Sequence, residues 1–323
     1  MSTRAGYRAP RTYAQVVIEV WDISRRFGQL TALDHVSFKV QRGEIVALLG
    51  PNGAGKTTAS RIIAGILAPS EGNVVVDGVS VRDDPNQVRR RCGFVTDQPA
   101  LYERMTLRAY LAFFGALYEV PEPAKRATEL AVMLGLADRL DARLGSFSRG
   151  MKQKVAIARG LVHDPPVLLL DEPSAALDPE TARTLRDFIV SLRARHRAIL
   201  LCTHDLDEAQ RIADRVIVLY RGRVAREGTT DSLRAAPQQT YLLTFLGDET
   251  AAIAALARAG VAGESASANG THAVRFSAQD AASTNPAVLR ALLDSGVGVL
   301  TLTREERTLE DAYFAIVSQA KQA

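Results

Sequence analysis

Gly50-Pro51-Asn52-Gly53-Ala54-Gly55-Lys56-Thr57-Thr58 fits the pattern G-x-x-x-x-G-K-[ST] and follows directly on Ile45-Val46-Ala47-Leu48-Leu49. That apolar run reads as a strand buried on both faces, so the glycine-rich stretch stands in the strand-to-helix context a phosphate-binding loop requires. Glycines at 50, 53 and 55 let the backbone curl, so that successive N–H groups and the start of the next helix point at a phosphate chain. Lys56 adds positive charge and Thr57 offers a hydroxyl to Mg²⁺. All nine residues from Gly50 to Thr58 are therefore candidate nucleotide contacts: Gly50, Pro51, Asn52, Gly53, Ala54, Gly55, Lys56, Thr57 and Thr58. The expected ligand is a nucleoside triphosphate, ATP with Mg²⁺, on a chain of α/β class.

A second run, Val167-Leu168-Leu169-Leu170-Asp171-Glu172-Pro173, is an apolar strand ending in two carboxylates. Asp171 is the expected metal ligand, directly or through water, together with Thr57. Glu172 is the expected general base for the attacking water. Taken singly, each carboxylate also suits a helix cap or a turn. Ahead of this strand, Phe147-Ser148-Arg149-Gly150-Met151-Lys152-Gln153-Lys154 leads into the helically spaced Val155-Ala156-Ile157-Ala158-Arg159-Gly160-Leu161. Ser148 suits the N-cap and Gly150 leaves room for a phosphate, so the segment reads as an anion-binding helix start.

At this segment the chain resembles the ATP-binding subunits of ABC transporters, which carry a signature of the Ser-Gly-Gly-Gln type here. Arg149 replaces its first glycine and Met151 its glutamine, while Ser148 and Gly150 are kept. The resemblance continues through Ser174-Ala175-Ala176-Leu177-Asp178, similar to the family's D-loop, and Thr203-His204-Asp205 after the strand Ala198–Cys202. It spans residues 16–231 and implies a phosphate-loop NTPase fold of ABC type: a RecA-like core with an antiparallel β subdomain and a helical subdomain. It also implies that His204 contacts the γ-phosphate and that Asp178 joins the nucleotide-binding set. Ser148 and Gly150 would complete the site of an opposing subunit. Phe27, in Arg25-Arg26-Phe27-Gly28, falls where the family stacks an aromatic on adenine, the other reading being a core phenylalanine. The glutamine that the family adds to the Mg²⁺ and nucleotide contacts, linking the metal site to the permease, is assigned to Gln98, with Asp97 standing where many relatives have Gln.

The implied partners are an integral-membrane permease and a second copy of the chain or a related ATPase subunit, on the cytoplasmic face of the membrane. The longest apolar runs fall far short of the ~18 residues a membrane-spanning helix needs. A net charge of +4 is too small to argue for nucleic acid. Residues 1–14, with Arg4, Arg8 and Arg11 and no apolar core, read as a disordered basic tail, weak adhesion to acidic lipid being the alternative. Cys92 and Cys202 read as buried, reduced thiols.

Further strands are expected at Val16–Val20, Val36–Val40, Asn73–Asp77 and Val216–Tyr220, a helix at Thr58–Leu67, and a helical stretch over Leu101–Leu144. Of five aromatics between 101 and 118, most are expected in the core, with some lining a groove that in this family receives a permease helix. Pro237-Gln238-Gln239 reads as a boundary. Beyond it, strands at Tyr241–Leu246, Ala273–Ser277 and Val297–Thr303 alternate with helices at Ala251–Ala259, Pro286–Asp294 and Leu309–Ala320, giving a small αβ accessory domain over 240–323 that ATP binding does not need. The ending Arg307-Thr308-Leu309-Glu310-Asp311-Ala312-Tyr313-Phe314, with Tyr102-Glu103-Arg104-Met105-Thr106 and the Met-bearing signature, resembles ATPase subunits of bacterial exporters of drugs, lipids, glycans or ions. An importer subunit and a soluble ABC ATPase are the alternatives.

Overall fold

The computed structural model describes residues 16–322, apart from 99, 176, 194–195, 236–238, 269–270 and 306. The basic tail and the Pro237 boundary thus lie outside the described residues. Contacts divide the chain into two compact units, one running to Thr230 and taking in the residues from Tyr313 onward, the other Asp231–Ala312.

In chain order the first part carries β1 (Val16–Phe27), β2 (Leu30–Gln41), β3 (Ile45–Leu49), α1 (Lys56–Ile63), β4 (Glu71–Val76), β5 (Val79–Ser80), α2 (Pro85–Arg91) and β6 (Cys92–Val95). Then come α3 (Leu107–Leu117), α4 (Pro123–Met133), α5 (Arg149–Gly160), β7 (Val167–Asp171), α6 (Pro179–Arg193), β8 (Ala198–Thr203), α7 (Leu206–Ile212), β9 (Arg215–Tyr220), β10 (Arg223–Thr229) and α8 (Thr230–Arg234). Strands β2-β1-β4-β5 form an antiparallel sheet, and β10-β9-β3-β8-β7-β6 a mixed, mainly parallel sheet. Its inner strands β3, β8 and β7 pair in parallel and every residue of β3, β7 and β8 is buried, as expected of strands covered on both faces. This is the α/β arrangement with an antiparallel subdomain, and α3 and α4 occupy the stretch expected to be helical.

The helix after β3 begins two residues earlier than expected, at Lys56, and ends at Ile63 rather than Leu67. Its end follows from the backbone: Gly65 takes φ +67°, outside the right-handed helical region. Asp84, Thr106, Ser148 and Asp205 each cap a helix by accepting from the backbone N–H three residues on. Arg221 and Gly222, both at positive φ, make the two-residue turn between β9 and β10.

The rest of the chain holds β11 (Gln239–Leu246), α9 (Glu249–Arg258), β12 (Gly263–Ala268), β13 (Thr271–Ala278), α10 (Ala281–Asp294), β14 (Gly298–Glu305) and α11 (Leu309–Gln322). From β11 to β14 the order is βαββαβ, in one antiparallel sheet arranged β12-β13-β11-β14, a ferredoxin-like unit. Tyr241, Leu243 and Phe245 on β11 alternate inward onto Ala252, Leu256, Val288 and Leu292 of its two helices. Strand β12 was not expected: Gly-Glu-Ser-Ala-Ser-Ala has no β-branched or aromatic residue, and pairing with β13 makes it a strand. Helix α10 starts at Ala281, capped by Asp280, so Pro286 lies inside the helix and not at its start.

Candidate active site

The site is built at the carboxyl ends of three neighbouring strands. Backbone pairing sets Leu49 at the end of β3 beside Thr203 at the end of β8, and Cys202 of β8 beside Asp171 at the end of β7. The phosphate-loop sequence, the carboxylate pair and the histidine segment therefore leave the sheet side by side, where ligands bind in open α/β sheets.

Gly55 stands at the N-cap of α1 with φ 107°, a backbone that side-chain-bearing residues rarely adopt, and this bend starts the helix at Lys56. Lys56 is buried, its Nζ donating to the Gly50 carbonyl oxygen at 2.6 Å and lying 3.7 Å from Glu172 Oε1. Thr57 Oγ1 donates to Asp171 Oδ2 at 2.8 Å. The other carboxylate oxygen, Asp171 Oδ1, is buried without a hydrogen-bond partner. Burial raises the pKa of Asp171, with smaller contributions from the charges of Glu172 and Asp97.

Glu172 has φ 50°, in the left-handed region, and its N–H donates to the Cys202 carbonyl oxygen at 2.8 Å. Its Oε1 lies 2.8 Å from His204 Nδ1, and its Oε2 accepts from Thr203 Oγ1 at 3.5 Å. One carboxylate thus faces an ammonium, an imidazole and a hydroxyl, a setting in which proton transfer and charge stabilisation are both possible.

The remaining expected residues are more dispersed. Phe27 is 45% exposed, which rules out the core reading, and the Arg25 guanidinium lies over its ring at 4.6 Å. Ser148 caps α5, accepting from the Met151 N–H at 3.3 Å. At Gly150 an added Cβ would meet Thr181 Cγ2 at 2.5 Å, so the tight approach of α6 is itself a reason for glycine there. Asp178 is exposed and accepts from the Thr181 N–H at 2.9 Å, the capping role a lone carboxylate can have, and hydrogen bonding from the Thr181 hydroxyl, then from its N–H, lowers its pKa. Gln98 is exposed and its backbone oxygen accepts from Thr96 Oγ1, whereas the charge of Asp97 is felt by Asp171. Among the described residues no group of three or more His, Cys, Asp or Glu side chains is placed to hold a metal ion.

A family model described as ABC transporter matches residues 33–175. Over 224 residues the chain is 40% identical to the ABC transporter ATP-binding protein NatA of Bacillus subtilis, a match covering 67% of this chain and 91% of that relative. The chain belongs to the ATP-binding subunits of ABC transporters. Among other members, it is 36% identical over 286 residues to the sulfate/thiosulfate import ATP-binding protein CysA of Mycobacterium tuberculosis, covering 88% of this chain and 79% of CysA. The ATP-binding cassette MJ0796, solved as a dimer in a post-hydrolysis state bound to ADP and Pi, superposes with a TM-score of 0.61 at 29% identity, covering 66% of this chain and 98% of that one. As an ABC ATPase the chain binds and hydrolyses ATP in the service of a transporter. No helix among the described residues is long and apolar enough to cross a membrane.

Glu208 was missed by sequence reasoning. It lies on the buried stripe of α7 with Ala209 and Ile212, and its Oε1 accepts from Ser174 Oγ at 2.6 Å. The available signal was a carboxylate at an apolar-face position.

Proposed function

We propose that this chain hydrolyses Mg-ATP with Glu172 as general base, and that the energy drives export through a separate membrane permease. The observation that carries the hydrolytic part is the placement of Glu172 at the end of β7, between Lys56 Nζ and His204 Nδ1.

In this reading Lys56 exchanges the Gly50 carbonyl and Glu172 for phosphate oxygens, while backbone N–H groups from Gly50 to Thr58 hold the phosphate chain and Phe27 stacks on adenine. Thr57 and Asp171 fit Mg²⁺. Asp171 keeps one buried oxygen without a partner, and one carboxylate, one hydroxyl, water and phosphate oxygens are a usual donor set for that ion. When bound, Mg²⁺ neutralises charge on the β- and γ-phosphate oxygens. Glu172 takes a proton from water as the water oxygen attacks the γ-phosphorus in line and the bond to the ADP oxygen breaks; Glu172 then passes that proton to an oxygen of the released phosphate, leaving ADP and regenerating the carboxylate. His204 orients Glu172 through Nδ1 and contacts the γ-phosphate. Ser148, Gly150 and Asp178 serve the nucleotide of a second subunit, and Gln98, beside Asp97, reports the state of the metal site to the permease. The groove of about 220 Å³ lined by Arg89, Phe94, Phe114, Tyr118, Arg159 and His163 is the seat offered to a permease helix on the cytoplasmic face.

Glu172→Gln tests this directly. The variant should bind Mg-ATP within about threefold of the parent, lose at least ~100-fold in turnover and accumulate an ATP-bound dimer. Near-normal hydrolysis would remove Glu172 from the role of base. Mixing Lys56→Ala with Ser148→Arg protein should restore at most one working site per heterodimer, and normal hydrolysis by either variant as a dilute monomer would end the shared-site reading.

Export is favoured by the residues from Arg307 to Phe314 and the Met-bearing signature. Import is the second reading, favoured by the similarity to CysA over most of this chain. Vesicles holding the complex, supplied with ATP on the ATPase side, decide between them by whether substrate leaves or enters that side.

A further inference from the structure

Glu208 is fully buried on the first turn of α7, four residues beyond His204. Its Oε1 accepts from Ser174 Oγ at 2.6 Å, and its Oε2 is buried without a hydrogen-bond partner. Burial raises its pKa, against the smaller opposing effect of the Ser174 hydroxyl. A carboxyl buried with one oxygen unpartnered is costly to keep. Its partner Ser174 lies two residues beyond Glu172, whose backbone sits at φ 50°. Such a backbone persists only where the surroundings over-determine it. One restraint is the Glu172 N–H bond to Cys202, and another is the Ala175 N–H bond to the Glu172 carbonyl oxygen at 3.2 Å. The Ser174–Glu208 bond adds a third, tying the turn to the helix that begins just after His204. Asp205 completes the tie: its N–H donates to Thr203 Oγ1 at 3.0 Å and its Oδ1 accepts from the Glu208 N–H at 3.0 Å.

We propose that Glu208 is a positioning residue for ATP hydrolysis, holding through Ser174 the turn that carries Glu172 against the segment that carries His204. The inference rests on the reading of Glu172 as the base. Base and histidine then keep their 2.8 Å spacing as one body, and loosening the tie lowers the rate of the chemical step without weakening nucleotide binding.

The test is steady-state hydrolysis by the full chain, with nucleotide affinity and Tm measured alongside. Ser174→Ala and Glu208→Ala should each lose about five- to thirtyfold in kcat at a KM for ATP within twofold of the parent, and the double variant should be no worse than either single one. Glu208→Gln, whose amide oxygen still accepts from Ser174, should regain most of that loss. Parental kcat in Ser174→Ala, additive losses in the double variant, or a Glu208→Gln protein as slow as Glu208→Ala overturns the proposal. So does a drop in Tm with kcat unchanged, the signature of a purely structural carboxyl. If Glu208→Ala fails to fold, Ser174→Ala and Glu208→Gln decide the matter. Normal turnover by Glu172→Gln overturns this inference together with the reading beneath it. An inactive Glu172→Gln beside a normal Ser174→Ala overturns this inference alone.

Discussion

The ATPase part and the ferredoxin-like unit bury different things. The buried polar and charged side chains among the described residues, including Lys56, Ser60, Gln153, Asp171, Thr203 and Glu208, all belong to the first, and several cluster where β3, β7 and β8 end. The core of the second is apolar: Tyr241, Leu243, Phe245, Leu256, Phe276, Val288 and Leu292. Burying a charge costs free energy unless it is paired, so a protein keeps such groups where chemistry requires them. The contrast teaches that the first unit carries the cost of buried polar and charged side chains, which need partners to hold them, while the core of the second rests mainly on apolar packing.

Mutations can break or sharpen this contrast. Phe245→Ala should have the largest effect, about 3–5 kcal/mol off the stability of the ferredoxin-like unit by chemical denaturation, with Mg-ATP affinity unchanged. Loss of ATP binding in a protein whose first unit stays folded would break the division of labour. Lys56→Ala should do the reverse, weakening ATP binding about 30- to 100-fold in a titration with labelled nucleotide, the cost of one charge-assisted contact, while leaving the unfolding of the second unit untouched.

A pH series probes the buried groups without substrate. His163 stacks on Tyr118 with ring centroids 3.9 Å apart, and burial pushes its pKa down to about 4 from 6.5. The folded state therefore resists a proton that the unfolded chain accepts. Stability is fully present above pH 6.5, falls as pH drops through the window toward 4, and levels off below it. The loss should be about 2 kcal/mol, below the ~3 kcal/mol that the full shift implies, since the ring retains some solvent contact. His163→Phe should flatten that part of the curve, and an unchanged slope would show that the imidazole titrates freely. The smallest effect is expected at Phe27→Ala, about 1 kcal/mol or fivefold in ATP affinity, with Phe27→Tyr near the parent.

What could be read from the sequence follows from how local each signal is. The phosphate loop, the capping Ser148 and the apolar runs Ile45–Leu49, Val167–Asp171 and Ala198–Cys202 are written in contiguous residues; the α/β class followed from them, and the subdomain plan from the resemblance they carry. Strand β12 is not, because its Ser and Ala residues become a strand only against β13. Phe27 was ambiguous because a phenylalanine in sequence does not state whether its ring meets solvent. Gly150 could be read as room for a ligand, yet contact with Thr181, thirty-one residues away in sequence, is an equal reason for it. Glu208 escaped because its partner Ser174 lies on another segment, and only the folded chain brings the two together.

The strand pairing of β3, β8 and β7 has a consequence for how this site can change. Neighbouring strands stand ~4.8 Å apart, and a slip of one residue displaces a side chain by ~3.3 Å and turns it to the other face. The hydrogen-bonded ladder that pairs Leu49 with Thr203 and Cys202 with Asp171 therefore works as a ruler graduated in whole residues. Fine adjustment of the distances among Lys56, Glu172 and His204 is open only to side chains and the turns that carry them, while the sheet beneath offers a single setting.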